Sequence, residues 1–278
     1  MTQRMAGKVA FITGAARGQG RSHALRLAEE GADIIGVDIC ADIASVSTYS
    51  LATVAELEET RALVDKTGRK MVTSVADVRD LDQLQAAFDA GLAEFGHVDT
   101  VVANAGIASF AKSWELTSQE WRDMIDVNLT GVFHTAKVAI PSMIEAGNGG
   151  SMVFTSSIGG LKGIEHVAHY VSTKHGIVGL MRTMANELAP YNIRVNTIHP
   201  TNVDTTMIQN PGTYGMFAPD VAEPTVDDAR DGFVSLNALQ VPWVESIDIS
   251  NAVLFLSSDE ARYVTGVTFP VDAGANIR

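Results

Sequence analysis

The stretch Lys8–Gly31, KVAFITGAARGQGRSHALRLAEEG, decides the fold. Val9–Thr13 is an apolar, β-rich run. It leads into three glycines, Gly14, Gly18 and Gly20, and then into a pattern with helical spacing from Arg21 to Glu30. A strand feeding a glycine turn that opens a helix is the arrangement that binds phosphate. Gly14 permits a tight turn, Gly18 and Gly20 let the backbone approach a pyrophosphate, and the free amides at the helix start complete the anion site. Arg17 and Gln19 lie within the same turn. The spacing is G-x-x-x-G-x-G, not G-x-G-x-x-G, so the context carries more weight than the glycines alone.

Outward from this unit the same alternation repeats. Short runs at Asp33–Val37, Met71–Ala76, Val98–Ala103, Met152–Thr155, Ile193–Ile198 and Val267–Val271 show little polar alternation. Strands buried on both faces read this way. Between them, Val54–Lys66, Leu81–Phe95, Ser118–Glu145, Val167–Ala189 and Ile247–Leu256 are long enough for helices. Asp80 with Gln83, and Thr117 with Glu120, have capping-box spacing. The alternation predicts an α/β fold: a single Rossmann-type, doubly wound parallel sheet with helices on both faces, covering 1–278 as one domain. Two stretches break the rhythm. Residues 40–50, CADIASVSTYS, read as an inserted loop, and 205–243, with four of the chain's eight prolines, reads as an irregular substrate lid.

Composition narrows the function. The 278 residues are 46% hydrophobic and 19% charged, which excludes a disordered chain. Acids outnumber bases 33 to 20, giving net charge −13, and such a surface disfavours nucleic acid and anionic membrane. Cys40 is the only cysteine, so no intrachain disulfide forms. No run of ~18 uncharged apolar residues is present, and the start carries no signal-peptide pattern, so a cytoplasmic location is expected.

Further residues carry chemistry. Asp38 ends the second strand, 18 residues beyond Gly20, close to the offset of an acid that bonds an adenosine ribose. Its charge would repel a 2′-phosphate, which favours NAD over NADP. Tyr170 and Lys174, four apart, share one helix face. An ammonium beside a phenol favours the phenolate, which predicts a lowered Tyr170 pKa and a usable general base. Ser157, at the end of the fifth strand, is placed to bond the same substrate oxygen.

With these residues in order along nearly the whole chain, the sequence resembles the short-chain dehydrogenase/reductase family. The matches are TGAARGQG, Asp77-Val78, the NAG run Asn104–Gly106, Asn128, Ser157, and Tyr170 with Lys174. The resemblance implies that Asp77 and Val78 contact adenine and that Asn104, Ala105 and Gly106 line the cofactor. It implies that Lys174 bonds the nicotinamide ribose and that Asn128 holds a water leading protons to solvent. Pro200, Val203 and Thr205 match the family's contacts to the nicotinamide carboxamide. Thr201 stands where many members have glycine, which leaves the local backbone path open. The runs HPTNVDT, AARGQGRSHA and VDIC, with the loop at 40–50, resemble a carveol-dehydrogenase-like, mycofactocin-associated subgroup. That resemblance implies a tightly held, poorly exchanging NAD under the inserted loop, and an external electron acceptor as a partner.

The expected activity is NAD-dependent interconversion of a lipophilic secondary alcohol, terpenoid-like as with carveol, and its ketone. The resemblance also implies a homotetramer built on the helices near 118–145 and 167–189. An NADP ketoreductase, a nucleotide-sugar epimerase and a catalytically idle NAD-binding sensor stay open as alternatives. No Cys or carboxylate set joins His166, His169 and His175 in a metal site. A surface role at the helix start is expected for His166 and His169, small-hydrophobe packing for Cys40, and packing for Trp114 and Trp121. Met207, Tyr214, Met216, Phe217 and Trp243 read as an apolar substrate wall or as the core of a lid helix.

Overall fold

The computed structural model describes residues 3–278. Seven strands form one parallel sheet: β1 (Val9–Thr13), β2 (Asp33–Asp38), β3 (Met71–Val75), β4 (Thr100–Ala103), β5 (Gly150–Thr155), β6 (Ile193–Pro200) and β7 (Thr268–Val271). Their spatial order is β3-β2-β1-β4-β5-β6-β7. The chain therefore leaves β1 in one direction and resumes on its other side with β4. In such sheets the crevice beyond the carboxyl ends of the strands on either side of this reversal is where ligands bind.

Side-chain alternation along each strand sends neighbours to opposite faces. Val9 and Phe11 enter one core, with Phe88, Ala136 and Ile177. Ala10 and Ile12 enter the other, with Leu27, Leu57 and Leu254. The first face is covered by α3 (Leu81–Phe95), α5 (Gly131–Ala146) and α6 (Ala168–Leu188). The second is covered by α1 (Gly18–Glu29), α2 (Val54–Asp65) and α9 (Ser246–Ser257). The expected sheet with helices on both faces is the fold observed. Among the described residues no helix is long and apolar enough to cross a membrane.

Local signals held to different degrees. Thr117 and Glu120 form a full capping box at the start of α4 (Ser118–Ile125). Asp80 caps α3 by accepting from the Asp82 and Gln83 amides, but Gln83 does not return the bond to the Asp80 amide. Its side-chain oxygen accepts from the Asp77 amide instead, at 3.3 Å. The single helix expected over Ser118–Glu145 is interrupted by a π segment at Asp126–Thr130. The lid is less irregular than expected. It holds α7 (Pro211–Phe217), with Pro211 in its first turn, and α8 (Val226–Ser235), capped by Thr225 and Asp228. Trp114 and Trp121 are 79% and 42% exposed, so neither fills the packing role expected of it.

Candidate active site

The carboxyl ends of β1 and β4 meet at the reversal. Gly14 follows β1 with φ +69°, in the left-handed region. A Cβ on Gly20 would sit inside the Gly14 carbonyl oxygen and 2.9 Å from the Asn104 amide nitrogen, so no larger residue fits. Asn104 braces the turn from the far side, donating to the carbonyls of Thr13 and Gly14 at 3.2 and 3.4 Å. The result is a backbone-walled cleft of about 880 Å³. Gly14, Arg17, Gly18, Gln19, Gly20, Asp38, Asp77, Val78 and Asn104–Gly106 lie along it.

Asp38 is nearly buried at the cleft wall. It accepts from the Ala16 amide at 3.0 Å and the Cys40 amide at 3.3 Å, and burial raises its pKa against the pull of those bonds. Arg17, a cation beside it that a 2′-phosphate could use, is already engaged with the Ser50 carbonyl and, at 3.6 Å, with Glu56. Residues 40–50 lie over the cleft. Tyr49 lines it and accepts from the Ala108 amide at 3.1 Å, and Thr48 packs so close to Gly212 of the lid that a Cβ there would lie 2.8 Å from the Thr48 Cβ.

A second cleft of about 1110 Å³ opens from the first and shares Gln19, Asn104, Gly106, Ile107, Thr205 and Met207 with it. Ser157, Tyr170, Lys174, Pro200, Thr201 and Val203 stand on one side, with Met207, Met216 and Phe217 from the lid on the other. The Ser157 hydroxyl lies beside the Tyr170 phenol and pulls its pKa down. The Lys174 ammonium nitrogen lies 5.3 Å from the Tyr170 ring centre and donates to the Thr155 carbonyl at 2.8 Å. The expected fall in the Tyr170 pKa is absent. Burial raises it against the opposing Ser157 bond, and burial alone draws Lys174 down to about 7. Desolvation penalises both charged forms, so phenol and amine are each held toward neutrality.

The short chain dehydrogenase family model matches residues 8–213. The chain belongs to this family. It is 54% identical to (-)-trans-carveol dehydrogenase of Rhodococcus erythropolis over 276 residues, 99% of each chain. Among solved structures it is similar to carveol dehydrogenase from Mycobacterium avium in complex with NAD, at 51% identity and TM-score 0.97, covering 99% of each chain. It is also similar to a short chain dehydrogenase from Mycobacterium paratuberculosis bound to NAD, at 39% identity and TM-score 0.90, over 99% of this chain and 100% of that one. The carveol-dehydrogenase-like resemblance read from the sequence is thus borne out.

Within this family frame, not every expected residue reaches the cleft. Asn128 is fully buried in the π segment and lines neither cleft. Its side chain is spent on Ile107, accepting from the amide at 2.8 Å and donating to the carbonyl at 2.9 Å. It therefore holds the loop beside Gly106, while one acceptor lone pair of its side-chain oxygen stays open to the expected water. Asp77 lies at the cleft, but Arg79 occupies its carboxylate at 2.6 Å. Thr201 needs no left-handed backbone. Its hydroxyl donates to the buried Asn237 at 2.9 Å, which ties the end of β6 to the segment after α8. His169 is fully buried and bonded to Ser109 at 2.9 Å, contrary to the expected surface role, whereas His166 is exposed. Cys40 is half-buried with φ +50°, and burial pushes its thiol up to about 11. Tyr214 and Trp243 turn away from the cleft: Tyr214 donates to Gln209, and Trp243 packs edge-on against Phe233. Sequence reasoning passed over His199, whose partner Ser157 is 42 positions away and leaves no local spacing signal.

Proposed function

We propose that the chain is an NAD-dependent dehydrogenase that interconverts a lipophilic secondary alcohol and its ketone, with Tyr170 as general acid and base. One observation carries this reading: Ser157, Tyr170 and Lys174 together line the apolar lid cleft, with Lys174 beside Gly106 in the wall it shares with the glycine cleft. The residues fit a dinucleotide. The Gly14–Gly20 turn leaves room only for backbone, Asp38 faces a ribose position, and the buried Gln19 side-chain oxygen at the shared wall has no partner within the protein. With Arg17 engaged elsewhere, NAD fits better than NADP.

NAD supplies the hydride acceptor for the alcohol's carbinol carbon. Gly14, Gly18 and Gly20 with the α1 amides hold the pyrophosphate. Asp38 holds the adenosine ribose, Val78 and Asp77 border the adenine, and Asn104, Ala105 and Gly106 line the middle of the dinucleotide. Pro200, Val203 and Thr205 hold the carboxamide end. Ser157 orients the substrate oxygen while Tyr170 exchanges its proton. Lys174, drawn down to about 7, takes up or releases a proton near neutral pH, and its ammonium form beside the Tyr170 ring would favour the phenolate.

The chain acts as one domain. Residues 205–243 form the substrate lid, and 40–50 cover the cofactor cleft, helped by the Arg17–Ser50, Tyr49–Ala108 and Thr48–Gly212 contacts. NAD accordingly survives purification, which mass spectrometry after gentle denaturation detects; purely apo protein contradicts the covered site. Subunits associate as a homotetramer in the cytoplasm, and an external acceptor re-oxidises a trapped, mycofactocin-type cofactor. A panel of cyclic and terpenoid secondary alcohols, assayed with NAD, with NADP and with an artificial electron acceptor, tests the activity. Oxidation with NAD or the artificial acceptor is expected. Turnover with NADP alone would contradict it.

A further inference from the structure

The β5–β6 ladder runs out at the active site for a chemical reason. Thr155 pairs with Ile198, and the Ser156 amide donates to the Ile198 carbonyl at 2.9 Å. The next donor on β6 would be the amide of residue 200, facing the Ser156 carbonyl, and Pro200 has none. Ser157, just beyond the ladder, has an extended backbone and sits nearly buried, and its carbonyl accepts from the Gly160 amide at 2.9 Å. His199 adds a second donor to that carbonyl. Its Nδ1 lies 2.6 Å from the Ser157 carbonyl oxygen, and its Nε2 lies 2.8 Å from the Thr197 hydroxyl. A carbonyl only accepts, so Nδ1 carries the proton and Nε2 accepts from Thr197.

We infer that His199 is a positioning residue for the dehydrogenase site: a neutral imidazole that, together with the Gly160 amide, pins the Ser157 carbonyl and so aims the Ser157 hydroxyl at Tyr170. The inference rests on the proposed alcohol dehydrogenation. Three observations support it. His199 is fully buried, and burial draws its imidazole down to about 4, so it stays neutral. The Ser157 hydroxyl accepts the Gly159 amide at 3.1 Å, so backbone and side chain of Ser157 are both tethered. That hydroxyl is the group that pulls the Tyr170 pKa down against burial. Without the imidazole the carbonyl is held by the Gly160 amide alone, and a looser Ser157 hydroxyl opposes burial less.

His199→Leu removes the donor at similar bulk, and His199→Asn keeps a side-chain N–H near the Nδ1 position. The first readout needs no turnover: Tyr170 is titrated by ultraviolet difference absorbance, with Tyr170→Phe as the blank. In His199→Leu the midpoint rises by about 0.5–1 pH unit, the worth of one neutral hydrogen bond. In His199→Asn it stays near the wild-type value. The second readout is alcohol oxidation. His199→Leu lowers kcat roughly three- to tenfold, with KM and NAD affinity nearly unchanged, and His199→Asn recovers most of the loss. In a Ser157→Ala background the Leu substitution adds no further loss, because its effect passes through Ser157.

An unmoved Tyr170 midpoint in folded His199→Leu overturns the inference. So does an Asn variant as impaired as the Leu variant, or a full additional loss in the Ser157→Ala background. If His199→Leu does not fold, the Asn variant alone decides: it keeps the wild-type midpoint, or the inference fails. Absence of wild-type turnover with every alcohol would defeat the proposed function, while the titration would still test the role of His199.

Discussion

The two halves of the cleft are built from different material. The dinucleotide half is built around backbone, with glycines at 14, 18 and 20 and the ends of β1 and β4, and the carboxylates of Asp38 and Asp77 stand beside it. The reaction half is walled by side chains, with Met207, Met216 and Phe217 from the lid facing Ser157 and Tyr170. Backbone walls recognise what every dinucleotide shares, whereas methionines and aromatics conform to one substrate and can be exchanged without altering the fold.

The sharpest way to break this comparison is to put a side chain into the backbone wall. Gly20→Ala drives a Cβ into the Gly14 carbonyl. The cost is about 3 kcal/mol, the upper end for overpacking, and NAD affinity falls roughly a hundredfold. Calorimetric titration measures it; retained affinity would show that the turn does not hold the pyrophosphate. Asp38→Asn is milder, since an amide oxygen still accepts one of the Ala16 and Cys40 bonds. Losing the charged bond to ribose costs about 1.5–3 kcal/mol, so NAD binds roughly ten- to a hundredfold more weakly and the preference over NADP narrows. Competitive binding of the two cofactors reads this out.

On the lid side the effects are smaller. Thr201→Gly removes the bond to Asn237, worth about 1 kcal/mol, and raises KM for the alcohol a few-fold while NAD affinity holds. Steady-state kinetics separate the two. Smallest is the acid response. Burial draws His23 down to about 3 and His199 to about 4, from 6.5 in an unfolded chain. Between those values the unfolded chain binds more protons, so their contribution to stability is full above pH 6.5 and is lost as pH falls toward 4. Urea midpoints at pH 7 and pH 4.5 show the loss, and a His23→Gln, His199→Asn double variant flattens that part of the slope.

The same contrast explains what could be read in advance. Buried parallel strands announce themselves as short Val/Ile runs, and the glycine turn follows β1 directly in sequence. Tyr170 and Lys174 were legible because both lie on one helix face. The lid helices were passed over although their signals were present: Pro211 in a first turn after the Asn210 cap, and Thr225 three residues before Asp228. The π segment had no such signal, because Asn128 bonds to Ile107 across 21 residues. The fall expected for Tyr170 failed for a related reason. A four-residue spacing reports nearness to Lys174, and burial, which dominates both groups, is set by the whole fold.

The central claim is that the Tyr170 phenol carries the substrate's proton. The direct measurement is single-turnover oxidation by Tyr170→Phe, with NAD occupancy confirmed in the same sample. The account predicts full occupancy and a rate lowered about 10²- to 10⁴-fold, the usual worth of a general base. A variant that binds NAD and turns over at the wild-type rate would contradict it.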